Sequence, residues 1–327
     1  MEMKNCLTDI DGVLIGQVTD EENLTGCTVV LIPDGAVCGV DICGGAPGSR
    51  ESNLLQSEKT ITQVHAIFLT GGSAYGLSVG DGIMTYLEEN NIGFDTGYAK
   101  VGIVPGAVIF DLNVGSAKVR PTSEMGYLAC TVATNESMMQ GNYGAGTGAT
   151  VGKVLGNDCI MKGGIGGASF VNKNGIIVSA IVVVNAFGDV RDYKTGKILA
   201  GALKGGIPQD TIEIMTAGIE EGYRYRLDNT TIAIVGTNAN LTKTQCNLLA
   251  AKAVHGLVKS IFPVSTTFDG DTVFAFSKGD KECEINILGV IASEVLAEAV
   301  NNAIKSANEV AGIKSYKSLC KFDTKSK

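Results

Sequence analysis

The chain has no tryptophan, two histidines and six prolines in 327 residues. A Ser-His-Asp hydrolase needs an imidazole, and only His65 and His255 could supply one. His65 lies inside the apolar run Val64-His65-Ala66-Ile67-Phe68 and His255 inside a helical pattern, so both read as structural. There is no G-x-S-x-G stretch, and the one S-x-x-K match, Ser318-Leu319-Cys320-Lys321, falls in a Lys- and Ser-rich tail expected to be frayed. Charge is also sparse. Charged residues make up 18% of the chain, the formal net charge is -8, and no cluster of Lys and Arg is interleaved with aromatics. That pattern argues against nucleic acid or an anionic membrane as partner. Met1-Glu2-Met3-Lys4-Asn5 leads into polar residues rather than an apolar leader, and no uncharged apolar run reaches 18 residues, so a soluble, cytoplasmic protein is expected. The nine cysteines form no C-x-x-C pair and are expected to be reduced, mostly buried thiols, with no metal site.

What is abundant is glycine, 43 residues, and apolar side chains, 45% of the chain. Together they imply tight turns between buried strands, and enough apolar surface for an oligomer. Buried strands are predicted over 27–32, 66–69, 175–184 and 231–235. Thr242-Lys243-Thr244-Gln245 is a capping-box pattern, and Cys246, Leu249, Ala253, Leu257 and Ile261 then share one face, so a helix is predicted over 242–262. Two more are predicted over 289–311 and 73–90. Strands and helices mix without a repeat or a long linker, so the class is α/β or α+β with layered sheets in one folding unit.

Two glycine-rich runs invite a phosphate-binding reading, residues 141–148 leading to Lys153, and Lys162-Gly163-Gly164-Ile165-Gly166-Gly167. Position 147 is Thr and Lys153 is followed by Val154, so the P-loop pattern fails. Such turns serve equally well to aim backbone N–H groups at a carboxylate or an oxyanion, and no cofactor is expected. The sharper signal is Asp228-Asn229-Thr230-Thr231 running straight into the strand-like Ile232-Ala233-Ile234-Val235. Breaking the Asn229–Thr230 bond would make Thr230 an N-terminus with a hydroxyl and a free α-amine, the minimal apparatus of an N-terminal nucleophile hydrolase. Asp269-Gly270-Asp271 arrives after the next helix and opens another apolar run. By itself it reads either as a turn or calcium-like loop, or as a carboxylate pair returned beside Thr230.

Seven segments taken in order, residues 44–51, 69–77, 104–108, 144–148, 162–166, 184–190 and 229–231, resemble the P1 or DmpA-like peptidases. That family includes L-aminopeptidase/D-esterases, β-aminopeptidases and the nylon-oligomer hydrolase. The resemblance covers nearly the whole chain. It implies a four-layered αββα sandwich of the DmpA and ornithine-acetyltransferase type, self-cleaved into an α chain, residues 1–229, and a β chain, residues 230–327. Thr230 falls at the nucleophile position, Asp269 and Asp271 on the pair that orients and activates it, Asn185 on the oxyanion-stabilising residue and Lys153 on a lysine near the nucleophile. Relatives carry a catalytic Tyr where this chain has Phe110, which leaves the leaving-group proton donor unassigned. Gly72, Ser73, Tyr75 and Gly146 are the substrate-binding candidates. The implied activity is removal of N-terminal residues from short peptides or amino-acid amides and esters through an acyl-enzyme on Thr230, in a homo-oligomer, a tetramer of α/β pairs. Alternatives are an amidase on non-peptide amide oligomers and a non-cleaving small-molecule-binding homologue. Acetyl transfer of the ornithine acetyltransferase kind ranks lower, because Arg226-Leu227-Asp228-Asn229 does not fit its cleavage site.

Overall fold

The computed structural model describes residues 3–217 and 229–323, so the Arg226-Leu227-Asp228 lead into the expected cleavage point lies outside the described residues. The strands that matter are β1 (Leu14–Asp20), β2 (Thr25–Ile42), β3 (Ser49–Arg50), β4 (Gln63–Thr70), β5 (Gly106–Val108), β6 (Thr150–Val151), β7 (Met161–Lys162), β8 (Gly164–Val171), β9 (Ile177–Asn185), β10 (Thr230–Ala239) and β11 (Thr272–Lys281). The helices that matter here are α1 (Val79–Glu89), α2 (Ser123–Thr131), α3 (Lys243–Ser260), α4 (Ile285–Ser306) and α5 (Tyr316–Asp323). Nine strands form one mixed sheet in the order β8-β9-β10-β11-β2-β4-β5-β3, with β1 also paired to β2.

Strand β2 makes one sheet into two layers. Its first half pairs with β1 and β4, its second half with β11, and its register with β4 shifts between Leu31 and Ala36. Pro33 cannot donate to a ladder and Gly35 holds φ +79°, so the strand bends there and changes layer. Side-chain alternation then sorts the core. Ile232 and Ile234 of β10, Phe274 and Phe276 of β11 and Ile181 and Val183 of β9 pack against Val30, Ile32, Ile67 and Leu69 from β2 and β4, filling the space between the layers. The alternate residues, among them Ala233, Val235, Val273 and Val182, face α3 and α4. On the far side Val29, Leu31 and Phe68 face α1 and α2 through Val79, Ile83 and Ala129. Helices, sheet, sheet, helices is the layered α/β architecture the sequence implied.

Helix α3 starts as its capping box requires, the Thr242 side chain accepting from the Gln245 N–H, but it stops at Ser260 because Ile261–Phe262 form a short strand against Asp189 and Val190. Helix α4 begins at Ile285, four residues before the expected start, because the Glu284 carboxylate accepts the N–H groups of Asn286 and Ile287. Residues 73–78 are a 3-10 turn and the α-helix begins only at Val79. The frayed tail is corrected as well: Tyr316–Asp323 form a helix, and Tyr316 and Leu319 pack on the α3/α4 core. By length and apolarity α4 could cross a membrane, yet 67% of its most apolar stretch is buried against α3 and the sheet, so its apolar faces are those of a core helix.

Helices α3 and α4 cross at Gly256, where an added Cβ would lie 2.4 Å from the Ser293 carbonyl oxygen and 2.9 Å from the Ala297 nitrogen. Gly256→Val is therefore expected to lose about 1–3 kcal/mol of stability by overpacking a backbone contact, read from the midpoint of denaturant unfolding at unchanged slope.

Candidate active site

Thr230 opens β10 and pairs directly with Asn185, the last residue of β9. Residues directly opposite in an antiparallel pair share a face, so both side chains point to the interlayer side, along with Ile232 and Val183. Strand β11 lies parallel on the other side of β10, with Thr272 opposite Ile232, and an isolated parallel bridge between Asn229 and Asp269 extends that ladder beyond Thr230. The Asp-Gly-Asp segment therefore reaches the nucleophile candidate through backbone pairing. The Gly270 N–H donates to the Asn229 carbonyl at 2.9 Å, and the Thr230 hydroxyl donates to the same carbonyl. Thr230 is 6% exposed. Only glycine fits at position 270, because a Cβ there would stand 2.7 Å from the Ala46 carbonyl and 3.0 Å from Thr230 Oγ1. From outside, the segment after β2 clamps the loop: Cys43 and Gly44 N–H groups donate to the Asp271 carbonyl at 3.0 and 3.1 Å, and Ala46 donates to that of Asp269 at 2.8 Å.

Both carboxylates point inward and are buried. Asp271 accepts the Thr231 N–H at 2.5 Å and the Ser265 N–H at 2.9 Å. Asp269 accepts the Thr266 N–H at 2.9 Å and the Thr266 hydroxyl at 2.5 Å. Neither bonds the Thr230 hydroxyl, which donates to the Asn229 carbonyl instead. Burial pushes the Asp271 carboxyl up to about 7, with the neighbouring Asp269 charge adding to it. Burial also raises Asp269, opposed by its Thr266 hydrogen bonds and by the charge of Lys153. Among the described residues no group of three or more His, Cys, Asp or Glu is placed to hold a metal ion.

The Asn185 amide is held from two sides. Its Oδ1 accepts the Thr150 N–H at 3.0 Å and its Nδ2 donates to the Phe110 carbonyl at 3.1 Å. A backbone N–H only donates and a carbonyl only accepts, so this pair fixes which way the amide faces. Lys153 is buried and its ammonium donates to the Asn185 carbonyl at 3.0 Å. Thr230, Asn185, Asp269, Asp271 and Lys153 thus come together, with Phe110 joined through its backbone. Gly72 and Ser73 connect one step further out, their N–H groups donating to Asp111 Oδ1 at 2.7 Å and to the Ile109 carbonyl at 2.9 Å. Tyr75 is 62% exposed under the Arg120 guanidinium, and Gly146 packs inside, where a Cβ would lie 2.3 Å from the Ile165 nitrogen. His65 is buried with its Nδ1 accepting the Ile103 N–H, and His255 lies on α3. Two partners escaped sequence reasoning, the Thr150 N–H and the Gly270 N–H. Backbone donors leave no residue-type signal, although the glycine between two aspartates hinted at the second.

The family model described as Peptidase family S58 matches residues 5–318. An uncharacterized aminopeptidase of Mycobacterium leprae is 39% identical over 95% of this chain and 93% of its own length. A 6-aminohexanoate-oligomer endohydrolase of a Kocuria species is 33% identical over 91% of this chain and 85% of its own. Among solved structures, the L-aminopeptidase D-Ala-esterase/amidase of Ochrobactrum anthropi, described as a variant of the Ntn hydrolase fold, superposes with a TM-score of 0.70 at 17% identity, covering 98% of this chain and 94% of its own. At that identity the likeness speaks for the fold.

The buried carboxyl pair makes stability depend on pH in a stated direction. A carboxyl whose folded pKa lies above its unfolded value binds its proton more tightly in the folded state, so stability is present at low pH and is lost as pH rises from about 4 towards about 7. With Thr230→Ala as the common background, Asp271→Asn is expected to flatten that decline. Unfolding free energies at pH 4.5, 6 and 7.5 measure it, and an unchanged slope would contradict the assignment.

Proposed function

This chain belongs to peptidase family S58, a hydrolase of the aminopeptidase/amidase kind, and we propose that it cleaves its own Asn229–Thr230 bond and then uses Thr230 as nucleophile. The observation that carries the reading is at the Asn229 carbonyl, which accepts the Gly270 N–H at 2.9 Å while the Thr230 hydroxyl rests against it. A carbonyl so held is polarised at its oxygen, and the attacking hydroxyl is already within contact. Thr230 Oγ1 adds to the Asn229 carbonyl carbon, the C–N bond breaks, and the hydroxyl proton ends on the Thr230 nitrogen. Water then hydrolyses the ester, leaving an Asn229 carboxylate and a free Thr230.

In the processed enzyme the Thr230 α-amine, with a reference pKa of about 7.7–8.0, is partly neutral at pH 7 and serves as the base that no histidine here provides. Its cationic form lies beside two buried carboxyls, Asp269 and Asp271, which favour retaining it in the site. The substrate acyl group forms an ester on Thr230 Oγ1, the Asn185 amide and a backbone N–H carry the oxyanion, and water releases the acid. Short peptides and amino-acid amides or esters with a free N-terminus are the proposed substrates. The similarity to a 6-aminohexanoate-oligomer hydrolase supports a second reading, cleavage of non-peptide amides.

Denaturing intact mass tests the proposal. Wild type is expected to give two fragments, the smaller beginning at Thr230, and Thr230→Ala one intact chain; a wild type that stays whole at 33.9 kDa after prolonged incubation would overturn it. On processed protein, Asn185→Ala is expected to cost about 100–1,000-fold in kcat with a p-nitroanilide amide of an amino acid.

A further inference from the structure

We infer that Lys162 is a positioning residue for this reaction, holding from beneath the chain segment that orients the Asn185 amide. The inference rests on the proposed oxyanion role of Asn185. Lys162 ends β7 and is fully buried, and its ammonium donates to the carbonyls of Thr147 at 2.9 Å and Ala149 at 2.6 Å. Desolvating an ammonium costs several kcal/mol unless its donors are satisfied, so a lysine here needs a task that an apolar residue of the same length would not perform. Two carbonyls on alternate residues converge on one nitrogen, which bends residues 147–149 around it. The next residue, Thr150, is directly opposite Lys162 in the β6–β7 ribbon, and the Gly163 N–H donates to the Ala149 carbonyl at 2.9 Å. Side chain and backbone thus hold the same segment.

What that segment presents is the Thr150 N–H, bonded to Asn185 Oδ1. The Thr150 hydroxyl lies 3.5 Å from the same oxygen. Removing the ammonium takes away its hold on the Thr147 and Ala149 carbonyls, so Thr150 can shift and its N–H bond to Asn185 Oδ1 is weakened. The charges facing Lys162 are Asp111 and Lys153. Asp111 is tied down by the Thr25 hydroxyl and the Gly72 N–H, both at 2.7 Å, so the ammonium has a fixed counter-charge without being drawn away from the carbonyls. Lys162 touches no reacting atom. It acts through Thr150 and Asn185.

The test is a double-mutant cycle on processed enzyme, with turnover normalised to the cleaved fraction by intact mass. Lys162→Met keeps the length and removes the ammonium. It is expected to lower kcat about 10–100-fold while KM changes less than about twofold, the pattern of a lost transition-state interaction. In the Asn185→Ala background the same substitution is expected to change kcat less than about twofold, since the group it positions is gone. Losses that multiply would overturn the inference. Wild-type turnover by Asn185→Ala alone would refute the oxyanion reading instead, and so separates the two failures. If Lys162→Met gives no cooperative melt, Lys162→Gln, which keeps a neutral NH2 donor, enters the same cycle. Failure of both to fold would overturn positioning in favour of a purely structural role.

Discussion

The site depends on one strand being paired on both sides. Strand β10 is antiparallel to β9 and parallel to β11, and its first residue is Thr230. The antiparallel side puts Asn185 opposite Thr230 on the same face. The parallel side brings the start of β11, and the Asp-Gly-Asp loop before it, to the same end of the sheet. A slip of one residue in either ladder would turn Thr230 towards the helices and Asn185 away from it, so the interlayer core of Ile232, Ile234, Phe274 and Phe276 that fixes register also fixes the chemistry.

Around that end the protein buries an unusual number of charges: Asp111, Lys153, Lys162, Asp269 and Asp271 are all at most 4% exposed. Each is bound to backbone. Asp271 is held by two N–H groups, Lys153 and Lys162 by carbonyls, Asp111 by the Gly72 N–H. Fixed backbone dipoles replace water without needing to reorganise, which makes such a site able to stabilise charge as it develops. The same desolvation pushes Asp271 up to about 7 and Lys162 down to about 7, the Asp269 charge adding to the first shift and the Asp111 charge opposing the second.

How much of this the sequence carried follows from which interactions leave a mark on residue type. The strand after Thr230 and the capped start of α3 are local patterns, and both were readable. Strand β2 was seen only as 27–32, because Pro33, Asp34 and Gly35 are stop signals locally, whereas in three dimensions they are the bend by which one strand serves two layers. The true start of helix α4 is not legible, because Glu284, its cap, looks like any surface acid. The Asn185 position came from family resemblance alone. A lysine in a glycine-rich run suggested a phosphate loop, and nothing in residues 162–167 announces that Lys162 would be buried with its ammonium on two carbonyls.

The scarcity of histidine becomes intelligible at this site. A serine hydrolase keeps its base on a separate side chain, whose orientation another group must hold. In the proposed mechanism the base would be made by cutting the chain, so it would arrive attached to the nucleophile's own Cα, and β10 would position hydroxyl and amine together. The demands on the rest of the fold change accordingly. It would have to hold the Asn229 carbonyl still before a cut, where the Gly270 N–H donates to it at 2.9 Å, and hold an amide donor ready afterwards. Both tasks fall to backbone atoms and their immediate neighbours, and they call for glycines that permit close approach rather than for more titratable side chains. That is the composition this chain has.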